Sequence, residues 1–177
     1  MGAVIVIRPA GASDVAPMDA LLRAVFPRAD EAALVRDLCI DGDMVLTLVA
    51  EDEETGALTG MVAFSRMDVT VGQKPVPAVA LAPVAVAPAY RRQGVAEALI
   101  RAGLDRLEQA GVVLCFALGD PDFYGRFGFA ADLAHDYASP YAGDALLAAA
   151  LQGGLVPCGE RGRADHAPAF ARLGMQE

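Results

Sequence analysis

The chain has 177 residues, enough for one hydrophobic core, with 55% hydrophobic and 21% charged residues and a formal net charge of −9. That charge argues against nucleic acid as the main partner, because phosphate neutralisation needs a basic surface. The apolar start Val4-Ile5-Val6-Ile7 is too short to span a membrane and lacks the flanks of a signal peptide, so a cytoplasmic chain without a membrane partner is expected.

Residues 4–8 read as a first strand, and Ser13-Asp14 is placed to cap a helix whose apolar positions Val15, Met18, Leu21, Leu22 and Val25 recur at helical spacing. Pro27 ends it. A second helix is predicted from about Asp30 to Leu38, with Leu34 and Leu38 inward, before an Asp41-Gly42-Asp43 turn. Residues 44–51 and 58–67 alternate like strands around the polar Glu53-Glu54-Thr55-Gly56 turn and predict an antiparallel hairpin. A third strand follows over residues 76–86. Pro83 within it cannot donate a ladder hydrogen bond and marks either a bulge or a break in pairing.

Residues 94–110 predict an amphipathic helix, with Ala96, Ile100, Gly103, Leu104 and Leu107 on one face and Glu97, Arg101, Asp105 and Glu108 on the other. Glu97 and Arg101 form a favourably ordered i,i+4 pair. Gly111 stops the helix, and residues 112–118 are a continuous apolar run suited to a strand buried on both faces. Strand, helix and strand make one right-handed βαβ crossover. The expected fold class is therefore α+β: a mixed, mostly antiparallel sheet with one βαβ crossover and helices on both faces.

Cys39, Cys115 and Cys158 are few and widely spaced, and the histidines are His135 and His166 alone, so neither a disulfide framework nor a metal is expected. Cys115 reads as a small core residue within its apolar run. At the N-terminus, Gly2 does not open an acylation signal, since Val6 stands where Ser or Thr is required.

The most specific segment runs from Val84, Ala85 and Val86 through Ala87-Pro88-Ala89-Tyr90 to Arg91, Arg92, Gln93, Gly94, Val95 and Ala96. A strand ends, a short loop turns and a helix begins. At a helix start the first amides lack intrahelical partners and the macrodipole is positive, so an anion gains hydrogen bonds and favourable electrostatics. Gly94 and Ala96 keep bulk away from a diphosphate. This pattern resembles the R/Q-x-x-G-x-G/A motif of the GNAT superfamily of N-acetyltransferases, on Arg91, Gly94 and Ala96. A second segment, Asp120-Pro121-Asp122-Phe123-Tyr124-Gly125-Arg126-Phe127-Gly128-Phe129, resembles the family's F-Y-x-x-x-G-F stretch, in which a short helix presents Tyr beside the cofactor sulfur. The likeness extends to a bacterial group in which Gly-Asp-Pro precedes the Tyr and G-x-x-x-x-P-A-F closes the chain, here Gly119-Asp120-Pro121 and Gly162 through Pro168-Ala169-Phe170.

The resemblance implies a single N-acetyltransferase domain over residues 1–177, with a core of about residues 4–135 and a C-terminal segment of residues 136–177. It implies acetyl-coenzyme A (acetyl-CoA) as donor, a small-molecule or peptidyl primary amine as acceptor, and direct attack of the amine on the thioester. Tyr124 is then the candidate catalytic acid, and Val84, Ala85, Val86, Arg91, Arg92, Gln93, Gly94, Val95, Ala96 and Tyr124 the cofactor-binding set. A packed aromatic role is the alternative for Tyr124, and surface solvation that for Arg91, Arg92 and Arg126. Glu31, Asp68, Asp120 and His135 are candidate bases, directly or through water, and for each the solvated or capping reading is the one the residues favour. A catalytically silent acyl-CoA-binding regulatory module is the competing function. A homodimer is one open oligomeric state, and residues 145–151 are open between strand and helix, since their alanines favour helix and the likeness favours strand.

Overall fold

The computed structural model describes residues 3–173; Gly2, with the acylation pattern read there, and residues 174–177 at the end of the expected C-terminal segment lie outside the described residues. Two compact units divide the chain. The first contains residues up to 64, then 82–103 and 168 onward; the second contains 65–81 and 104–167.

In the first unit β1 (Ile5–Pro9) pairs antiparallel with β2 (Met44–Asp52), Ile5 opposite Asp52 and Pro9 opposite Leu48. The strand order continues through β3 (Leu58–Val71) to β4 (Lys74–Val86), both of which are divided between the two units. The helices α1 (Val15–Val25) and α2 (Asp30–Ile40) bury Met18, Leu21, Leu22, Ala32 and Val35 in one cluster with Val49, Met61, Ala63 and Ala85 of the strands. A closing turn, Pro168–Arg172, is tied to α2 by Arg172, 3.4 Å from both Asp37 and Asp41.

Asp14 does not cap α1 as expected: its side chain makes no cap bond. Arg8 donates to its two oxygens at 2.7 and 2.9 Å, and the Gly11 amide donates to it at 2.7 Å. A guanidinium fork offers charge-assisted, bidentate bonds that outcompete a neutral helix amide.

The crossover helix α3 (Val95–Gln109) begins in this unit, and two glycines let it approach the sheet. A Cβ on Gly60 would lie 2.9 Å from the Ala85 carbonyl and 3.1 Å from Val95 and Leu99, and one on Gly103 would collide with the Phe64 ring. The buried stripe of α3 accordingly includes Val95 and Leu99 beside Ile100, Leu104 and Leu107, while Ala96 is only half-buried. Arg101 donates to Glu97 at 3.1 Å, the i,i+4 pair read from the sequence.

In the second unit β3 runs on to Val71, four residues past its expected end, and β4 starts at Lys74. Buried Met67, Val69 and Val71 alternate with polar neighbours that masked the strand, and Gly72 and Gln73, with φ of 58° and 65°, form the two-residue turn. The parallel ladder from β4 to β5 (Leu114–Leu118) takes in three pairs, Ala78 with Leu114, Val79 with Cys115 and Ala80 with Phe116. β4 itself continues through Pro83, which follows a cis peptide bond. Residues 145–151, open in the sequence, supply the strand β6 (Leu146–Ala150), antiparallel to β5. Pairing with β5 and burial of Leu146 through Ala149 outweigh the weak helical preference of alanine. The strand β7 (Arg161–His166) pairs with β3, Met67 opposite His166. The fold is the expected α+β class.

Candidate active site

After β4 the chain makes a tight turn at Pro88–Tyr90, with the Ala87 amide bonded to the Thr59 carbonyl at 2.7 Å. Arg91, Arg92, Gln93 and Gly94 are all exposed. Arg92 and Gly94 have φ of 63° and 78°, and a Cβ at Gly94 would meet nothing within 4 Å, so the turn needs glycine there for its backbone angle and leaves the space above it open. The α3 bond from the Ala98 amide to the Gly94 carbonyl is 3.0 Å long, and the amides preceding it belong to the first turn, whose N–H groups have no partner within a helix. Arg91 reaches back to the Val86 carbonyl at 3.4 Å and Gln93 to the Ala89 carbonyl at 3.3 Å. Val84 and Val86 are half-buried and Ala85 is buried, the alternation of a strand with one face in the core. All three lie beyond Ala80, where the ladder with β5 ends.

In the second unit, Tyr124 ends the short helix α4 (Pro121–Tyr124). Asp120 caps this helix by accepting the Asp122 amide at 2.9 Å, and Pro121 at its first position removes an amide that would have had no partner. Gly119 makes room for the tyrosine ring: with φ of 156°, its Cβ would lie 2.7 Å from Tyr124 Cε2. Phe123 and Phe129 stand edge-on to the ring at 5.0 and 5.5 Å between centroids. Burial, then the neighbouring Cys115, raises the phenol pKa, so Tyr124 stays protonated at neutral pH. Cys115 is fully buried and its thiol is pushed up as well, in keeping with a core residue.

Arg126 lies over the Phe123 ring, 5.0 Å from its centroid, and donates to the Phe123 carbonyl at 3.4 Å. Among the candidate bases, Asp68 pairs with Arg66 at 2.8 Å, Asp120 is occupied as a cap, Glu31 lies in the first turn of α2, and His135 offers its carbonyl to Arg161 at 2.6 Å. Sequence reading passed over His166, which meets Tyr141 edge-on at 4.9 Å and whose pKa burial lowers to about 4, keeping its imidazole neutral. It also passed over Tyr90 and Asp52, joined by a 2.8 Å hydrogen bond. A tyrosine beside the phosphate-type turn was the available signal for the first; nothing local marks the second. Among the described residues no group of three or more His, Cys, Asp or Glu is placed to hold a metal, and no helix is long and apolar enough to cross a membrane.

The mixed sheet, mostly antiparallel with one βαβ crossover, is the fold of a GNAT acetyltransferase. Residues 6–131 match the acetyltransferase (GNAT) domain family. An uncharacterized N-acetyltransferase of Escherichia coli K12, YhbS, is 46% identical over 123 residues, covering 70% of this chain and 72% of that protein. The crystal structure of YhbS from Escherichia coli in complex with CoA superposes with a TM-score of 0.88 at 37% identity, over 98% of this chain and 96% of that one. A GNAT acetyltransferase from Brucella melitensis in complex with acetyl-CoA gives a TM-score of 0.75 at 29% identity, over 96% and 99% of the two chains. The chain belongs to the GNAT family of N-acetyltransferases.

Proposed function

We propose that the chain, acting as one acetyltransferase domain in the cytoplasm, moves the acetyl group of acetyl-CoA to a primary amine by direct attack on the thioester. The observation that carries this reading is the turn from Arg91 to Ala96 opening α3 directly after β4, in a chain whose similar structures hold CoA and acetyl-CoA.

The amides of residues 91–96 receive the diphosphate, with Gly94 supplying the backbone angle that points them outward. Arg91 and Arg92 add charge at the rim. Main-chain groups of Val84, Ala85 and Val86, beyond the end of the parallel ladder, pair with the pantetheine amides and polarise the thioester carbonyl. The neutral amine attacks that carbonyl, a tetrahedral oxyanion forms, and its collapse breaks the carbon–sulfur bond. Tyr124 gives its proton to the departing thiolate, and the proton shed by the attacking nitrogen as the amide forms returns the phenolate to phenol; burial raises the phenol pKa above its ordinary value, so the acid is protonated beforehand.

Calorimetry with acetyl-CoA and thiol release with a panel of amines test the reading. Binding with amine-dependent release is expected, and Gly94→Val is expected to abolish the binding. Binding without turnover for any amine would favour a regulatory acyl-CoA module; absence of binding would refute the proposal.

A further inference from the structure

The turn that opens α3 has its four residues from Arg91 to Gly94 exposed, two of them at positive φ, so something outside the helix must fix its course. The strand side is anchored by the bond from the Ala87 amide to the Thr59 carbonyl, and the small turn closes with the Tyr90 amide on the Ala87 carbonyl at 2.9 Å. Tyr90 is the last residue before Arg91. Its hydroxyl donates to Asp52 Oδ2 at 2.8 Å, across 38 residues of sequence.

Asp52 is a firm anchor. It is 4% exposed, ends β2 and lies opposite Ile5 of β1. Its amide donates to the Ala57 carbonyl, its carbonyl accepts the Gly56 amide, and its Oδ1 accepts the Glu54 amide at 3.0 Å. The carboxylate thus organises the β2–β3 turn with one oxygen and holds the phenol with the other. The bond lowers the Asp52 pKa and raises that of Tyr90, so acceptor and donor keep their roles at neutral pH. Arg91 and Gln93, by contrast, bond only weakly and to the turn's own neighbourhood, at 3.4 and 3.3 Å.

We propose that Tyr90 and Asp52 are positioning residues of the cofactor site, tethering the diphosphate turn to the β2–β3 turn so that the amides of residues 91–96 are aimed before the cofactor arrives. The inference rests on the assignment of that turn to the diphosphate. Neither residue touches the reacting atoms. Their contribution appears as preorganisation, which lowers the ordering cost of binding and leaves the chemical step unchanged.

Two donors separate this role from general structural support. Acetyl-CoA carries the diphosphate, whereas S-acetylpantetheine carries the same thioester and amide arm without it. Tyr90→Phe is expected to raise KM for acetyl-CoA about tenfold with kcat unchanged, and to leave kcat/KM for S-acetylpantetheine within about twofold of the wild-type value. Asp52→Asn is expected to act in the same direction, and the double variant to lose no more than about twofold beyond Tyr90→Phe, as for two ends of one bond. Equal losses on both donors, or an unchanged KM for acetyl-CoA in Tyr90→Phe, would overturn the tether while leaving the diphosphate assignment standing. Failure of the wild-type protein to bind acetyl-CoA in calorimetry would overturn that assignment and the tether with it.

Discussion

Replacing Tyr124 by Phe removes one oxygen and keeps the ring in its seat between Phe123, Phe129 and the gap left by Gly119, so folding and cofactor affinity should survive. What is lost is a proton. Burial raises the phenol pKa above its ordinary value, which already exceeds that of a thiol, so the transfer to the thiolate runs uphill. That mismatch places the benefit near the lower end of the ~10²–10⁴ range for general acids, and kcat should fall about 100-fold, or ~2.7 kcal/mol. Thiol release under saturating acetyl-CoA measures kcat, and calorimetry with CoA should give a Kd within about twofold of wild type. The acid must be protonated to act, so in the wild-type protein its contribution persists through neutral pH and declines only as pH rises through the raised phenol pKa. A kcat within about threefold of wild type, or a matched loss of CoA affinity, would refute the acid role and leave Tyr124 as a packing residue.

Gly94→Ala meets no atom within 4 Å but must adopt φ of 78°, a strain of ~1–2 kcal/mol that should lower stability and raise KM for acetyl-CoA, read by urea unfolding and thiol release together. Gly103→Ala drives a methyl group into Phe64 and should cost ~1–3 kcal/mol, or ~2–4 °C in Tm for each kcal/mol. The Asp14 carboxyl, held by Arg8 first and the Gly11 amide second, has its pKa lowered from 3.8 to about 2. Its ionised form is favoured in the folded state, so the stabilisation, at most ~2 kcal/mol with Arg8 partly exposed, is complete above pH ~4 and fades as pH falls toward ~2. Asp14→Asn should abolish that pH-dependent increment, and an Asp14 carboxyl titrating near 3.8 by NMR would contradict it.

The sequence by itself determined the elements whose signal is local. Spacing of apolar residues marked α1, α2 and α3, an uninterrupted apolar run marked β5, and the glycine-bearing turn after β4 marked the start of α3, because backbone angle and unpaired amides depend on neighbours in the chain. Tertiary structure decided what depends on partners distant in sequence. Leu146 through Ala149 became strand because β5 supplied hydrogen bonds and burial, β3 lengthened because Met67 through Val71 found a partner in β7, and Asp14 turned from cap to ion-pair acceptor because Arg8 was within reach. The bond from the Tyr90 hydroxyl to Asp52, between side chains 38 residues apart, belongs to the same class, and no periodicity encodes it.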